Sequence, residues 1–221
     1  MKKRYWAFLI GSWCLSVGMQ AAKVDTLSVH SDAMNKEVQV ITICPDKAMA
    51  GEKCPVLYLL HGYGGNAGTW LGIKPELPQI ADKEGIIFVC PDGKNSWYWD
   101  SPLNKEYRYE TFVSKELVNY IDKNFTTKVE RGGRAITGLS MGGHGSLWLS
   151  IRHKDVFGGG GSMSGGLDIR PFPNNWEMKK QLGEEASNKQ RWDEHTVINQ
   201  LDKIKNGDLA VIIDLSLIHI S

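Results

Sequence analysis

Between Arg134 and Trp148 the chain reads Arg-Ala-Ile-Thr-Gly-Leu-Ser-Met-Gly-Gly-His-Gly-Ser-Leu-Trp, and few folds accept such a stretch. Ala135-Ile136-Thr137 is a small apolar run that predicts the end of a buried strand. The chain then turns through Gly138-Leu139-Ser140-Met141-Gly142, and Leu147 to Phe157 is apolar and helix-competent. Strand, Gly-x-Ser-x-Gly and helix in this order are the context of a nucleophile elbow. A serine on so tight a turn sits in strained backbone, and side chains two residues to either side would collide with the neighbouring strand and helix. Glycine at 138 and 142 removes those collisions. The turn also aims the Met141 N–H at the start of the helix, where a developing oxyanion is stabilised.

With 221 residues, 42% of them hydrophobic, the chain can bury one full core, so a single domain is expected. The 26 basic and 25 acidic residues leave a net charge of +1, which gives no reason to expect nucleic acid or an anionic membrane surface as partner. No His or Cys pair has metal-ligand spacing, so neither a metal nor another cofactor is expected.

Lys2-Lys3-Arg4 precedes a short uncharged run from Tyr5 to Met19, followed by Gln20-Ala21-Ala22. Basic head, short apolar centre and small residues at the end predict a secretory leader over residues 1–22, and so a bacterial periplasmic or secreted protein without stable membrane association once the leader is removed. Past the leader stand Cys44, Cys54 and Cys90. Cys44 and Cys54 flank an expected hairpin loop, Pro45 to Lys53, close enough in sequence to pair or to remain free. Cys90, inside an apolar run, is expected to be a buried thiol.

The rest of the chain alternates strands and helices. Val24–Val29 and Glu37–Ile43 predict an antiparallel start. Pro55–Leu60 and Ile86–Cys90 are continuous apolar runs, as strands covered on both faces require. Helices are expected over Thr69–Lys83, Tyr109–Phe125, Trp176–Leu182 and Lys189–Ile204, and strands over Gly158–Gly166 and Leu209–Ile213. Loops of chemical interest follow strand C-termini, which points to a doubly wound, mostly parallel α/β sheet filling residues 23–214.

Leu59-Leu-His-Gly-Tyr-Gly-Gly65, Gly138-Leu-Ser-Met-Gly-Gly143 and Ser162-Met-Ser-Gly-Gly166, in this order and each at a predicted strand end, resemble the esterase D-like α/β-hydrolases. That group includes S-formylglutathione hydrolases, mycolyltransferases, and bacterial acetyl-xylan and feruloyl esterases. The resemblance implies Ser140 as nucleophile, with the backbone N–H groups of Met141 and Tyr63 as oxyanion donors. It implies a small-molecule or polysaccharide ester as substrate, cleaved by hydrolysis or passed to an acceptor. Trp97, Tyr98, Trp99 and Asp100 either line an acyl or sugar site or pack within their own loop. His61 reads as shaping its loop, His144 as packing, and His153 and His195 as solvated surface.

The family's acid and histidine follow the strand matching Leu209–Ile213, a further βα unit of about 30 residues. The expectation is therefore an incomplete domain, with the last strand and its helices, and the triad acid and base, not among these residues. Asp214 and His219 are not assigned to those roles. Leu215–Ser221 reads as a tail foreign to the domain, and the chain as written is expected to be close to inactive.

Overall fold

The computed structural model describes residues 22–215. Residues 1–21 of the leader, and the Leu215–Ser221 tail beyond its first residue, His219 included, lie outside the described residues. Strands β1 (Lys23–Ser31) and β2 (Lys36–Cys44) form an antiparallel hairpin. A short helix α1 (Asp46–Met49) leads to β3 (Val56–Leu60). Helices α2 (Thr69–Ile73) and α3 (Leu77–Glu84) precede β4 (Ile87–Pro91). The single helix expected over 69–83 is thus two. Pro75 cannot donate to a helical ladder and interrupts it, and Pro78 sits in the first turn of α3, where its missing N–H costs nothing.

Helix α4 (Tyr109–Thr111) runs through a π-helical turn, Phe112–Leu117, into α5 (Val118–Asn124). Strand β5 (Arg134–Leu139) feeds α6 (Met141–Arg152), and β6 (Gly159–Met163) follows. Helices α7 (Met178–Leu182) and α8 (Lys189–Glu194) and a 3₁₀ turn at Val197–Lys203 lead to β7 (Ala210–Asp214). The second polar helix therefore ends earlier than its sequence suggests.

The strands form one sheet in the order β1-β2-β4-β3-β5-β6-β7, parallel from β4 onward. Strands β3 and β4 show why their runs are apolar throughout. Val56, Tyr58, Leu60, Ile87 and Val89 face the core that α6 covers, while Leu59, Phe88 and Cys90 face Trp70, Leu77 and Ala81 of α2 and α3. Helices on both faces leave no wet side for a polar residue. Strand β7 is a sheet edge, with Val211, Ile212 and Ile213 exposed. Cys44, Cys54 and Cys90 are all buried free thiols, and burial raises each above the usual thiol range.

Candidate active site

Strand β5 ends at Leu139 and α6 begins at Met141, leaving Ser140 alone on the turn with φ 55° and ψ −114°. L-residues rarely adopt that conformation, and the surrounding backbone enforces it. The Ser140 N–H donates to the Met163 carbonyl at 2.8 Å, and its own carbonyl accepts from the His144 N–H at 3.0 Å. The flanking glycines are required as expected, with their partners now defined. A Cβ on Gly138 would stand 2.3 Å from the Gly142 carbonyl oxygen, and one on Gly142 would stand 2.2 Å from that of Leu60. Between Gly133 and Ile151, Ser140 is the only exposed residue. Packing on every side lifts this one hydroxyl to the surface.

The loop after β3 runs beside it. A Cβ on Gly62 would lie 3.5 Å from the Ser140 Cβ, so the chain just before Tyr63 passes the serine at van der Waals distance. His61, 1% exposed, fastens this loop. Its Nδ1 lies 2.7 Å from the Gly62 carbonyl, and its Nε2 accepts from the Gly93 N–H at 2.9 Å. Asp92 Oδ1 lies 3.6 Å from the same Nε2, so the ring ties the loop after β3 to the end of β4. The Gly64 N–H donates to Asn95 Oδ1 at 2.9 Å, and the Gly65 N–H to the Gly62 carbonyl at 3.0 Å. Among the described residues neither the Tyr63 nor the Met141 N–H has an acceptor. Met141 is fully buried, whereas the Tyr63 side chain is exposed.

A cavity of about 210 Å³ opens at Ser140, walled by Trp97, Ile169, Phe172, Trp176 and Met178, with Tyr63 and Asp168 also lining it. Of the aromatic-loop candidates only Trp97 reaches it. Trp99 is buried behind, stacked on Trp97 at 5.5 Å, and its Nε1–H donates to His144 Nε2 at 2.9 Å. Asp100 accepts from the Thr111 N–H and hydroxyl at the start of α4, and it faces a different cavity, beside Glu110 and Arg152. The buried indole and the open helix start each needed a polar partner, and these two residues meet those needs. Sequence reasoning missed Phe172 and Trp176, whose one signal is two aromatics in a proline-flanked segment, Arg170-Pro-Phe-Pro-Asn-Asn-Trp176, without helical periodicity.

Every described histidine is engaged away from Ser140. His30 bonds Glu37, and His153 bonds Glu110. His144, fully buried, sits 2.8 Å from the Gly166 carbonyl through Nδ1, and burial pushes it down to about 4. His195, expected on a solvated surface, lies flat against Trp148 at 5.4 Å with Nδ1 on the Arg191 carbonyl. Among the described residues no cluster of His, Cys, Asp and Glu has the arrangement of a metal site, and no helix is long and apolar enough to cross a membrane.

Known proteins with the same arrangement lead to one family. The sequence profile of the family described as "putative esterase" matches residues 31–215. An acetyl esterase of Caldicellulosiruptor saccharolyticus is 29% identical over 151 residues, 65% of this chain and 56% of that protein. An endo-1,4-beta-xylanase/feruloyl esterase of Xylanibacter ruminicola is 34% identical over 124 residues, 52% of this chain and 17% of that protein. The chain thus spans about half, or less, of the length of these curated relatives. The structure of an S-formylglutathione hydrolase from Agrobacterium tumefaciens superposes with a TM-score of 0.73 at 19% identity, covering 88% of this chain and 87% of that one. By profile, relatives and fold, the chain belongs to this esterase family, the esterase D-like branch of the α/β-hydrolases.

Proposed function

We propose that this protein is a secreted serine carboxylic-ester hydrolase that removes acyl groups, acetyl or feruloyl, from plant-polysaccharide-type esters. The observation that carries the reading is Ser140 itself. It is the one exposed residue of its stretch, held in strained backbone at the mouth of an apolar cavity. In the proposed reaction Ser140 Oγ attacks the ester carbonyl and loses its proton to a base. The oxyanion rests on the unbonded N–H groups of Tyr63 and Met141. The C–O bond to the alcohol breaks, the alcohol takes up the proton, and water then releases the acid from the acyl-enzyme.

The cavity favours the larger acyl group. Its 210 Å³ is about seven times the ~30 Å³ share of a water molecule. A two-carbon acetyl would leave the faces of Trp97, Phe172 and Trp176 wet, whereas a phenylpropenoyl group would cover them. Since every described histidine is engaged elsewhere, we assign the base to a residue outside those described. On that reading the described residues alone leave Ser140 unactivated, because a serine hydroxyl without a base is a weak nucleophile at neutral pH.

The test assays the full-length gene product and its Ser140→Ala variant on p-nitrophenyl acetate and methyl ferulate. A loss of about 10⁴-fold or more is expected on that substitution. A variant that keeps more than about a tenth of the parent rate rules out Ser140 as nucleophile. Added xylo-oligosaccharide in the same assay separates hydrolysis from acyl transfer.

A further inference from the structure

The proposed oxyanion donor at Tyr63 stands on a loop tip that has little packing to hold it. Tyr63 and Gly64 are both exposed, and a Cβ on Gly64, whose φ is 75°, would meet nothing within 4 Å. The inner end of the tip is fixed. The Gly62 carbonyl accepts from the Gly65 N–H at 3.0 Å and lies 2.7 Å from Nδ1 of the buried His61. The carbonyl and N–H of one trans peptide point in opposite directions, so holding the Gly62 carbonyl also sets the direction of the Tyr63 N–H. The outer end has no buried anchor of this kind and depends on its polar ties.

Those ties converge on Glu177. The Gly64 N–H donates to Asn95 Oδ1 at 2.9 Å, and the Asn95 side chain in turn hydrogen-bonds the Glu177 carboxylate. The Tyr63 hydroxyl bonds the same carboxylate, and Lys180 Nζ donates to its Oε1. One side chain thus reaches Tyr63 through its ring and Gly64 through Asn95. Hydroxyl, amide and ammonium are all donors, and a carboxylate has acceptor sites for each. The Lys180 ammonium first, then the Tyr63 hydroxyl and the Asn95 amide, hold Glu177 below the usual carboxylate range.

Glu177 is put there by unusual backbone. Trp176 and Glu177 are consecutive left-handed residues, with φ of 49° and 56°. They turn the Trp176 ring onto the Ser140 cavity and the Glu177 carboxylate onto the loop. A solvated ion pair between Glu177 and Lys180 would contribute little and requires no such turn. We propose that Glu177 is a positioning residue, whose carboxylate holds the Tyr63–Gly64 tip so that the Tyr63 N–H stays aimed at the carbonyl oxygen of an ester on Ser140. It touches no substrate. The role rests on ester hydrolysis at Ser140, whereas the tie to the loop does not.

Two measurements on the full-length gene product separate these. The first is hydrogen exchange of the Gly64 amide by NMR, which needs no chemistry at the serine. Glu177→Ala is expected to speed it about tenfold, and Lys180→Met, which removes only the ion pair, to leave it within about twofold. The second is turnover of p-nitrophenyl acetate, with thermal unfolding as the check that each variant is folded. Deleting an oxyanion donor costs about 10²–10³-fold in kcat, so loosening one should cost about tenfold. KM should stay within about twofold, because that contact forms fully only in the transition state. Glu177→Gln still offers an acceptor and should recover most of the loss. In an Asn95→Ala background Glu177→Ala should cost less than it does alone, since the two share one tie. Unchanged Gly64 exchange in Glu177→Ala overturns the proposal, as does unchanged kcat. A kcat loss that Lys180→Met reproduces, or that adds in full to that of Asn95→Ala, overturns it too. If the parent hydrolyses no ester while Gly64 exchange responds as expected, the hydrolase reading falls and the tie to the loop stands.

Discussion

The indole N–H of Trp97 donates to the backbone carbonyl of Trp176 at 3.3 Å, tying together two segments that both run through left-handed backbone. Trp97 and Tyr98 have φ of 57° and 61°, and Trp176 and Glu177 have φ of 49° and 56°. Bulky residues in this region cost energy that the surrounding contacts must offset. Here the offset includes the stack of Trp97 on Trp99 and its tilted contact with Trp176 at 6.2 Å. Trp97→Phe removes the tie and keeps an aromatic wall. The loss is about 1 kcal/mol at one hydrogen bond. It should appear as a several-fold rise in KM for methyl ferulate in the full-length enzyme, with p-nitrophenyl acetate nearly unaffected. Equal effects on the two esters would show that Trp97 does not line the acyl site.

The elbow glycines give a prediction on stability alone. Gly142→Ala places a methyl 2.2 Å from the Leu60 carbonyl oxygen, where only backbone can move. Urea unfolding should show a loss of about 3 kcal/mol or more, at or beyond the upper end of ordinary overpacking. Gly72→Ala is the matched control. It lies in α2 with nothing within 4 Å of the added methyl, so it should stabilise by about 0.5–1 kcal/mol. A Gly142→Ala protein as stable as the parent would refute the close approach of α6 to β3.

These residues also show where the sequence was legible. Strands β3 and β4 were readable because burial on both faces leaves no alternative to an apolar run. The elbow was readable because its glycines answer local collisions. The start of α6 was not. Met141-Gly-Gly-His-Gly145 is poor helix sequence, and the expected helix began only at Leu147. Its glycines serve close approach instead, since a Cβ on Gly145 would stand 2.3 Å from the Tyr98 ring and one on Gly143 would stand 2.9 Å from Gly165. Tertiary contact overrides propensity there. Phe172 and Trp176 were hidden for a related reason, because the left-handed turn that presents Trp176 has no local sequence cause. In the 97–100 loop the sequence showed aromatic content, but not that Trp99 would turn inward to His144.

Acid should weaken the fold through His144. Burial holds its folded-state ionisation at about 4 against an ordinary 6.5. Above pH 6.5 both folded and unfolded chains hold a neutral ring, and pH has no effect through this group. As pH falls below 6.5 the unfolded chain binds the proton first, so stability declines until the folded protein also protonates near pH 4. At about 1.4 kcal/mol per pH unit the full decline is about 3 kcal/mol. His195, also lowered by burial, adds to the same window. Unfolding free energies at pH 7 and 4.5 should fall by about 2 kcal/mol more in the parent than in His144→Gln, which can still accept from Trp99 and donate to Gly166. Parallel pH curves for the two proteins would place the acid sensitivity elsewhere.

Ser140 joins the strain of the elbow to its proposed chemistry, and two substitutions separate them. Its φ of 55° and ψ of −114° lie in a region that glycine enters freely and that costs an L-residue about 1–3 kcal/mol. Ser140→Ala deletes the hydroxyl and keeps the Cβ, so the strain remains and stability should change by less than about 0.5 kcal/mol. Ser140→Gly deletes both. Its unfolded state gains freedom, which takes back about 0.5–1 kcal/mol, and the relief of strain should exceed that. Ser140→Gly is therefore expected to unfold at higher denaturant than Ser140→Ala, although glycine for alanine ordinarily destabilises. Both should be equally inactive on esters in the full-length protein. The measurement is a pair of urea curves with a common slope. If Ser140→Gly is the less stable of the two, the turn stores no strain at this residue, and the fold sacrifices no stability to present this hydroxyl.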